Sequence, residues 1–125
     1  MATITPDRFT DFLREKFGDE LRSVLQYEHD EYEHHYLRAD VREEYTDVDL
    51  ERIVQDLEME SMGRFVEETR FAHGDLRCRV HVFEHGIEMN FMFGDGEGLA
   101  VGLDAGSFAD HETFIGRCLE TAGLE

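Results

Sequence analysis

The sequence predicts an α+β domain in which a single antiparallel sheet of about five strands carries packed helices, in the order α-β-β-α-β-β-β-α. Three observations lead there. Apolar residues recur at helical spacing near the start, in the middle and near the end of the chain. Period-two alternation fills the stretch from Leu76 to Leu103, and Gly- or Asp-containing turns separate the alternating runs. An antiparallel meander with one apolar face needs cover, and the amphipathic helices are the elements able to supply it.

Thr5 followed by Pro6 starts a helix, the hydroxyl capping free N–H groups and the proline occupying the first turn. Phe9, Phe12, Leu13 and Phe17 share one face and Gly18 stops it, which places this helix at about residues 6 to 17. Residues 21 to 38 fit two patterns. Leu21, Val24, Leu25, Tyr32, His35 and Tyr36 fall on one helical face, whereas Leu21, Ser23, Leu25 and Tyr27 alternate as in a strand. Tyrosine, β-branched and Asp turn residues favour two short strands, about 21 to 28 and 32 to 38, turning through His29 and Asp30. Thr46 and Asp49 have capping-box spacing ahead of a long helix. Its apolar face runs Leu50, Ile53, Val54, Leu57, Ser61 and Met62 and continues to Phe65 and Val66, with Gly63 marking a close contact or a bend.

From Leu76, the residues Leu76, Cys78, Val80 and Val82 alternate with Arg77, Arg79, His81 and Phe83 up to a turn at Glu84-His85-Gly86. Ile87, Met89, Phe91 and Phe93 share a face of the next strand, Gly94 to Gly98 turns again, and Leu99 to Leu103 forms the last strand. Ser107 or Asp110 caps a closing helix with Phe114, Ile115, Cys118 and Leu119 on its apolar face and Gly123 past its end.

A chain of 125 residues without linker, repeat or low-complexity segment reads as a single domain, residues 1 to 125. Its charge is extreme: 30 Asp plus Glu stand against 12 Lys plus Arg, for a formal net charge of -18, and Lys16 is the only lysine. Such self-repulsion is tolerable where salt shortens the Debye length to about 3 Å, so the composition points to a folded surface of a salt-in halophile with high-salt counter-ions as its constant partners. The acids are dispersed from Asp7 to Glu125 and 41% of residues are hydrophobic, unlike a disordered acidic tail. No basic patch exists to neutralise phosphates, which opposes nucleic-acid binding. No apolar run nears the ~20 residues of a membrane span and Met1 to Pro6 lack signal-peptide character, so a cytoplasmic location is expected. Cys78 and Cys118 are expected as buried free thiols in that reducing compartment.

The segments Leu21-Arg22-Ser23-Val24 to Tyr36-Leu37-Arg38-Ala39-Asp40 and Arg79-Val80-His81-Val82-Phe83-Glu84-His85-Gly86 are similar to those of an uncharacterised family of small acidic haloarchaeal proteins. That similarity implies lineage and no activity. The element order resembles the roadblock and profilin-like folds, whose members mostly dimerise and serve as scaffolds or regulators, an analogy of fold alone.

The densest polar cluster is His29-Asp30-Glu31-Tyr32-Glu33-His34-His35-Tyr36. Three imidazoles and three carboxylates form a set that divalent transition metals accept. The spacing lacks H-x-x-x-H regularity, and on a strand His34 and His35 point to opposite faces. The plainer reading is a solvated acid-rich hairpin with its tyrosines packed inward. Gly94-Asp95-Gly96-Glu97-Gly98 carries two acids and precedes no helix, so it reads as a turn rather than a phosphate loop. No serine sits in a nucleophile elbow and neither cysteine has a neighbouring base, so no enzymatic centre and no cofactor is indicated.

One excess stands out in the sheet. The second face of the two later strands carries Arg77, Arg79, His81 and Phe83 beside Glu88, Asn90 and Met92, so Phe83 and Met92 form an exposed patch unless a helix covers that face too. The leading expectation is therefore a non-enzymatic interaction or regulatory module acting as a homodimer or as an adaptor for a protein partner, with Phe83, Met92, Arg77 and Arg79 at the contact. The alternative is a metal-binding or small-ligand-sensing domain using His29, His34 and His35 with Glu31 or Glu33. Moving the protein from molar salt to dilute buffer is expected to lower its thermal midpoint and its circular-dichroism signal; melting unchanged by that transfer contradicts the salt-dependent reading.

Overall fold

The computed structural model describes residues 5–107 and 114–124. Helix α1 (Pro6–Phe17) begins where Thr5 Oγ1 accepts from the Arg8 N–H at 3.3 Å and ends at Gly18, whose φ of 55° is open to glycine. A short 3-10 turn leads into β1 (Leu21–Glu28) and β2 (Glu31–Leu37). The two residues between them, His29 and Asp30, have φ of 47° and 73°, the double positive φ of a tight hairpin matched to strand twist. The helical alternative for this stretch is thereby excluded.

Helix α2 (Ala39–Arg42) precedes α3 (Asp47–Arg70), whose start is a complete capping box: Thr46 Oγ1 accepts from the Asp49 N–H at 3.1 Å and Asp49 Oδ2 from the Thr46 N–H at 2.9 Å. Strands β3 (Cys78–Phe83), β4 (Gly86–Gly94) and β5 (Glu97–Leu103) follow, then α4 (Phe114–Thr121). The sheet order is β2-β1-β5-β4-β3 with every neighbouring pair antiparallel, so the N-terminal hairpin joins the C-terminal meander through β1 against β5. The α+β class and element order match the sequence reading.

Helices cover both faces. On one, Leu13 of α1 packs with Leu21, Val24, Ile87, Val101 and Leu103, and Phe9 meets Phe91 edge-on with ring centroids 5.3 Å apart. On the other, Val54 and Leu57 of α3 lie over Leu25 and Tyr27. Met62, Phe65 and Val66, read as a continuation of the apolar face, are instead exposed. Ser61 already reaches the β4–β5 turn, and beyond it α3 meets the rest of the chain through polar contacts, Glu67 with Arg79 of β3 and Glu68 with the Leu76 N–H. Cys118, expected in a helix core, is exposed, and Ile115 is 45% exposed, because both sheet faces already carry a helix. Both cysteines are free. The proposed cap Asp110 lies outside the described residues, as does the side chain of Phe114. Strand β3 begins at Cys78 rather than Leu76, whose N–H is taken by Glu68 Oε2 at 2.6 Å.

Arg38 ties the connections together. Its guanidinium donates to Asp40 (2.6 and 3.0 Å), to both carboxylate oxygens of Asp104 (2.9 Å each) and to the Asp19 carbonyl (2.6 Å). These bonds hold the carboxyls of Asp40 and Asp104 below the usual value of 3.8. A carboxyl depressed by folding adds stability above its unfolded value and loses it as pH falls through the folded one. Arg38→Gln is therefore expected to lower the melting temperature at neutral pH. The gap from wild type is expected to close as pH drops below 3.8. A gap that stays constant into acid rules out this ionic tie.

Candidate functional site

Helix α3 is fastened to one end of the sheet by buried polar contacts. Tyr27 donates its hydroxyl to Asn90 Oδ1 at 2.6 Å, and Asn90 Nδ2 donates to Glu60 Oε1 at 2.9 Å. Ser61 Oγ accepts from the Gly96 N–H at 2.8 Å, and Glu58 Oε1 from the Asp30 N–H at 2.8 Å. Burial pushes the Tyr27 phenol up to about 12, against the pull of its bond to Asn90. The ring lies over Gly98, where a Cβ would collide with the Tyr27 hydroxyl and the Phe91 carbonyl.

Beside the Val54 and Leu57 contacts, a groove of about 840 Å³ opens between α3 and the sheet, lined by residues of β1, β2, α2, α3, β3, the β3–β4 turn, β4 and β5. Strand β3 forms one wall and is also an edge strand of the sheet, with no strand paired on its outer side among the described residues. Val80 and Val82 are exposed on one side of it, His81 and Phe83 on the other, with Phe83 at 58%. It is tethered inward by Arg79 Nη2 to Glu67 Oε1 at 2.6 Å, with His81 Nε2 3.7 Å from Glu60. Among the described strands β3 alone carries no Asp or Glu.

The predicted contact residues divide. Phe83 and Arg77 are exposed, and Arg79 is half-buried and bound to Glu67. Met92 is 6% exposed, because α3 covers its end of the face; it belongs to the core and is withdrawn from the contact.

The histidine constellation is not brought together. His29 sits in the β1–β2 turn. His34 and His35 are neighbours on β2 whose side chains point to opposite faces, as a strand dictates. His34 lines the groove, where burial, then Arg42 and His35, push its pKa down. His35 bonds Gln26 Oε1 at 2.9 Å and lies 3.8 Å from Asp7 on the α1 side. Glu31 and Glu33 are exposed. The group of acids and histidine that does converge among the described residues is Glu28, His29 and Glu97, with ligand atoms within 4.8 Å of one another. Glu28 and Glu97 face each other directly across β1 and β5. Sequence spacing hides Glu97 because the pairing of β1 with β5 is set by topology.

These features define an α+β domain with one open five-stranded antiparallel sheet between helices, bearing a groove beside the edge strand β3. The family model described as Domain of unknown function (DUF7522) matches residues 7–123, and the chain belongs to that family. No curated protein matches it. Among the described residues no helix is long and apolar enough to cross a membrane.

The two readings of Met92 and Phe83 separate experimentally. Met92→Ala is expected to destabilise by about 2–4 kcal/mol in denaturant melts. Phe83→Ala is expected to change stability by less than about 0.5 kcal/mol. Equal effects contradict the burial difference.

Proposed function

We propose that this protein is a non-enzymatic contact module of a halophile's cytoplasm that works as a homodimer, pairing β3 with β3 of a second copy. The observation that carries the reading is the character of β3: on a chain with 30 acids, the strand left free at the sheet edge has none, and it exposes Val80, Val82 and Phe83. An unprotected apolar edge presents open N–H and C=O groups to another strand. Antiparallel pairing of the same strand gives a two-fold, self-complementary interface and removes both free edges. The opposite edge, β2, carries Glu31 and Glu33 and is unsuited to this role.

Salt belongs to this reading. Two copies of a chain with net charge -18 repel each other, so molar counter-ions favour association while the apolar edge holds it together. The α-β-β-α-β-β-β-α order also supports a roadblock- or profilin-like relationship, whose members mostly dimerise and serve as scaffolds or regulators of protein partners.

Sedimentation equilibrium in molar potassium chloride is expected to give a dimer mass at micromolar protein. Val82→Asp, which puts a charge on the edge, is expected to give a monomer that remains folded by circular dichroism. A wild-type monomer at about 100 μM, well above the dissociation constants typical of specific dimers, overturns the proposal, and so does a Val82→Asp dimer.

A further inference from the structure

The groove between α3 and the sheet carries a second inference, independent of the edge. Its size falls in the range of small-molecule sites, about 300–1,000 Å³. Leu25 and Ala100 on the floor and Ile53 and Leu57 on the helix supply apolar surface. At the back, Gly102 has no side chain, and the space is taken by polar groups from both neighbouring strands. Ser23 Oγ stands 2.9 Å, and both carboxylate oxygens of Glu88 3.3 Å, from the point a Cβ at 102 would occupy. A hydroxyl and a carboxylate thus share one notch.

The charges around that notch are unbalanced. Glu44, Asp56, Glu60, Glu84 and Glu88 line the groove. Arg22 is its one arginine, and that guanidinium is bound to Glu44 at 2.5 Å and lies 3.6 Å from Asp104. Among the described residues Glu88 has no hydrogen-bond or ion-pair partner within contact distance, although solvent reaches it. We propose that this groove binds an organic cation with an apolar body, its ammonium or guanidinium head against Glu88 and Ser23 and its apolar part against the groove-facing sides of Ile53 and Leu57. An anion is repelled by the five acids, and a neutral ligand forgoes the attraction they offer a positive head.

The titration of Glu88 agrees with this chemistry. Confinement by the groove walls pushes its carboxyl up to about 7, opposed by the attraction of Arg22. A bound cation favours the ionised form, so binding releases a proton and tightens as pH rises through about 7. The other charged or titratable groups facing the groove are Arg22 on β1, His34 on β2, Glu44 and Tyr45 after α2, Asp56 and Glu60 on α3, His81 on β3, and Glu84 and His85 in the turn.

The test uses 4-phenylbutylammonium as probe, with 4-phenylbutanol and 4-phenylbutyrate as neutral and anionic counterparts, by calorimetry in molar potassium chloride. Only the ammonium is expected to bind measurably, with affinity rising between pH 6 and pH 8 by about the tenfold that one charged contact carries. Glu88→Gln is expected to lose about tenfold in affinity and to flatten the pH dependence. Ile53→Lys, a change at the half-exposed mouth, provides a second block if Glu88→Gln fails to fold. Val82→Asp is expected to bind the probe as wild type does, which keeps this result separate from the dimer. Equal binding of all three probes, binding of none, or an unchanged affinity in both groove variants overturns the proposal.

Discussion

The architecture depends on α3 being held at one end. Ser61 on Gly96, Glu58 on Asp30, and the Tyr27–Asn90–Glu60 chain all lie where the β1–β2 and β4–β5 turns meet. Buried polar groups left unpaired are costly, so these contacts fix the helix register against the sheet more sharply than apolar packing alone. Gly98 makes room for the Tyr27 ring. Val54 and Leu57 then close on Leu25 and Tyr27, and the groove opens beside that contact.

Charge imposes the second constraint. Acids that are not simply solvated are put to structural use: Asp49 in the cap, Asp40 and Asp104 around Arg38, Glu67 on Arg79, Glu68 on the Leu76 N–H. Arginine suits this role because its planar fork meets two carboxylates at once, which a lysine ammonium does not do. Glu28 opposite Glu97 departs from the pattern: like charges face each other across two strands, with His29 beside them. Against that background, a strand without acids is the place where surface composition breaks its own rule.

Much of this was legible in the sequence because it is local. Caps, turns and periodicity are written within a few residues, and Thr5, Gly18, Thr46 with Asp49, and His29-Asp30 all fall where they were expected. Failures came where the outcome depends on what lies across space. The alternation correctly put Glu88, Asn90 and Met92 on one face, but α3 covers Asn90 and Met92 and leaves Glu88 open, a gradient invisible to a period of two. The stripe on α3 continues to Phe65, although beyond Ser61 the helix meets the rest of the chain through polar contacts. The groove was not legible at all, since it joins Ser23, Glu88 and Gly102 from three strands whose order only the folded chain reveals.

The edge and the groove share β3. His81 and Phe83 stand on the groove side of the strand while Val80 and Val82 stand on the other, so a strand added at the edge extends the wall of the groove without entering it. A cation seated against Glu88 acts on β4, which pairs with β3 through Glu88 and His81. The two places therefore make separate demands on one strand: the edge uses its backbone and the side turned away from α3, the groove the side turned toward it.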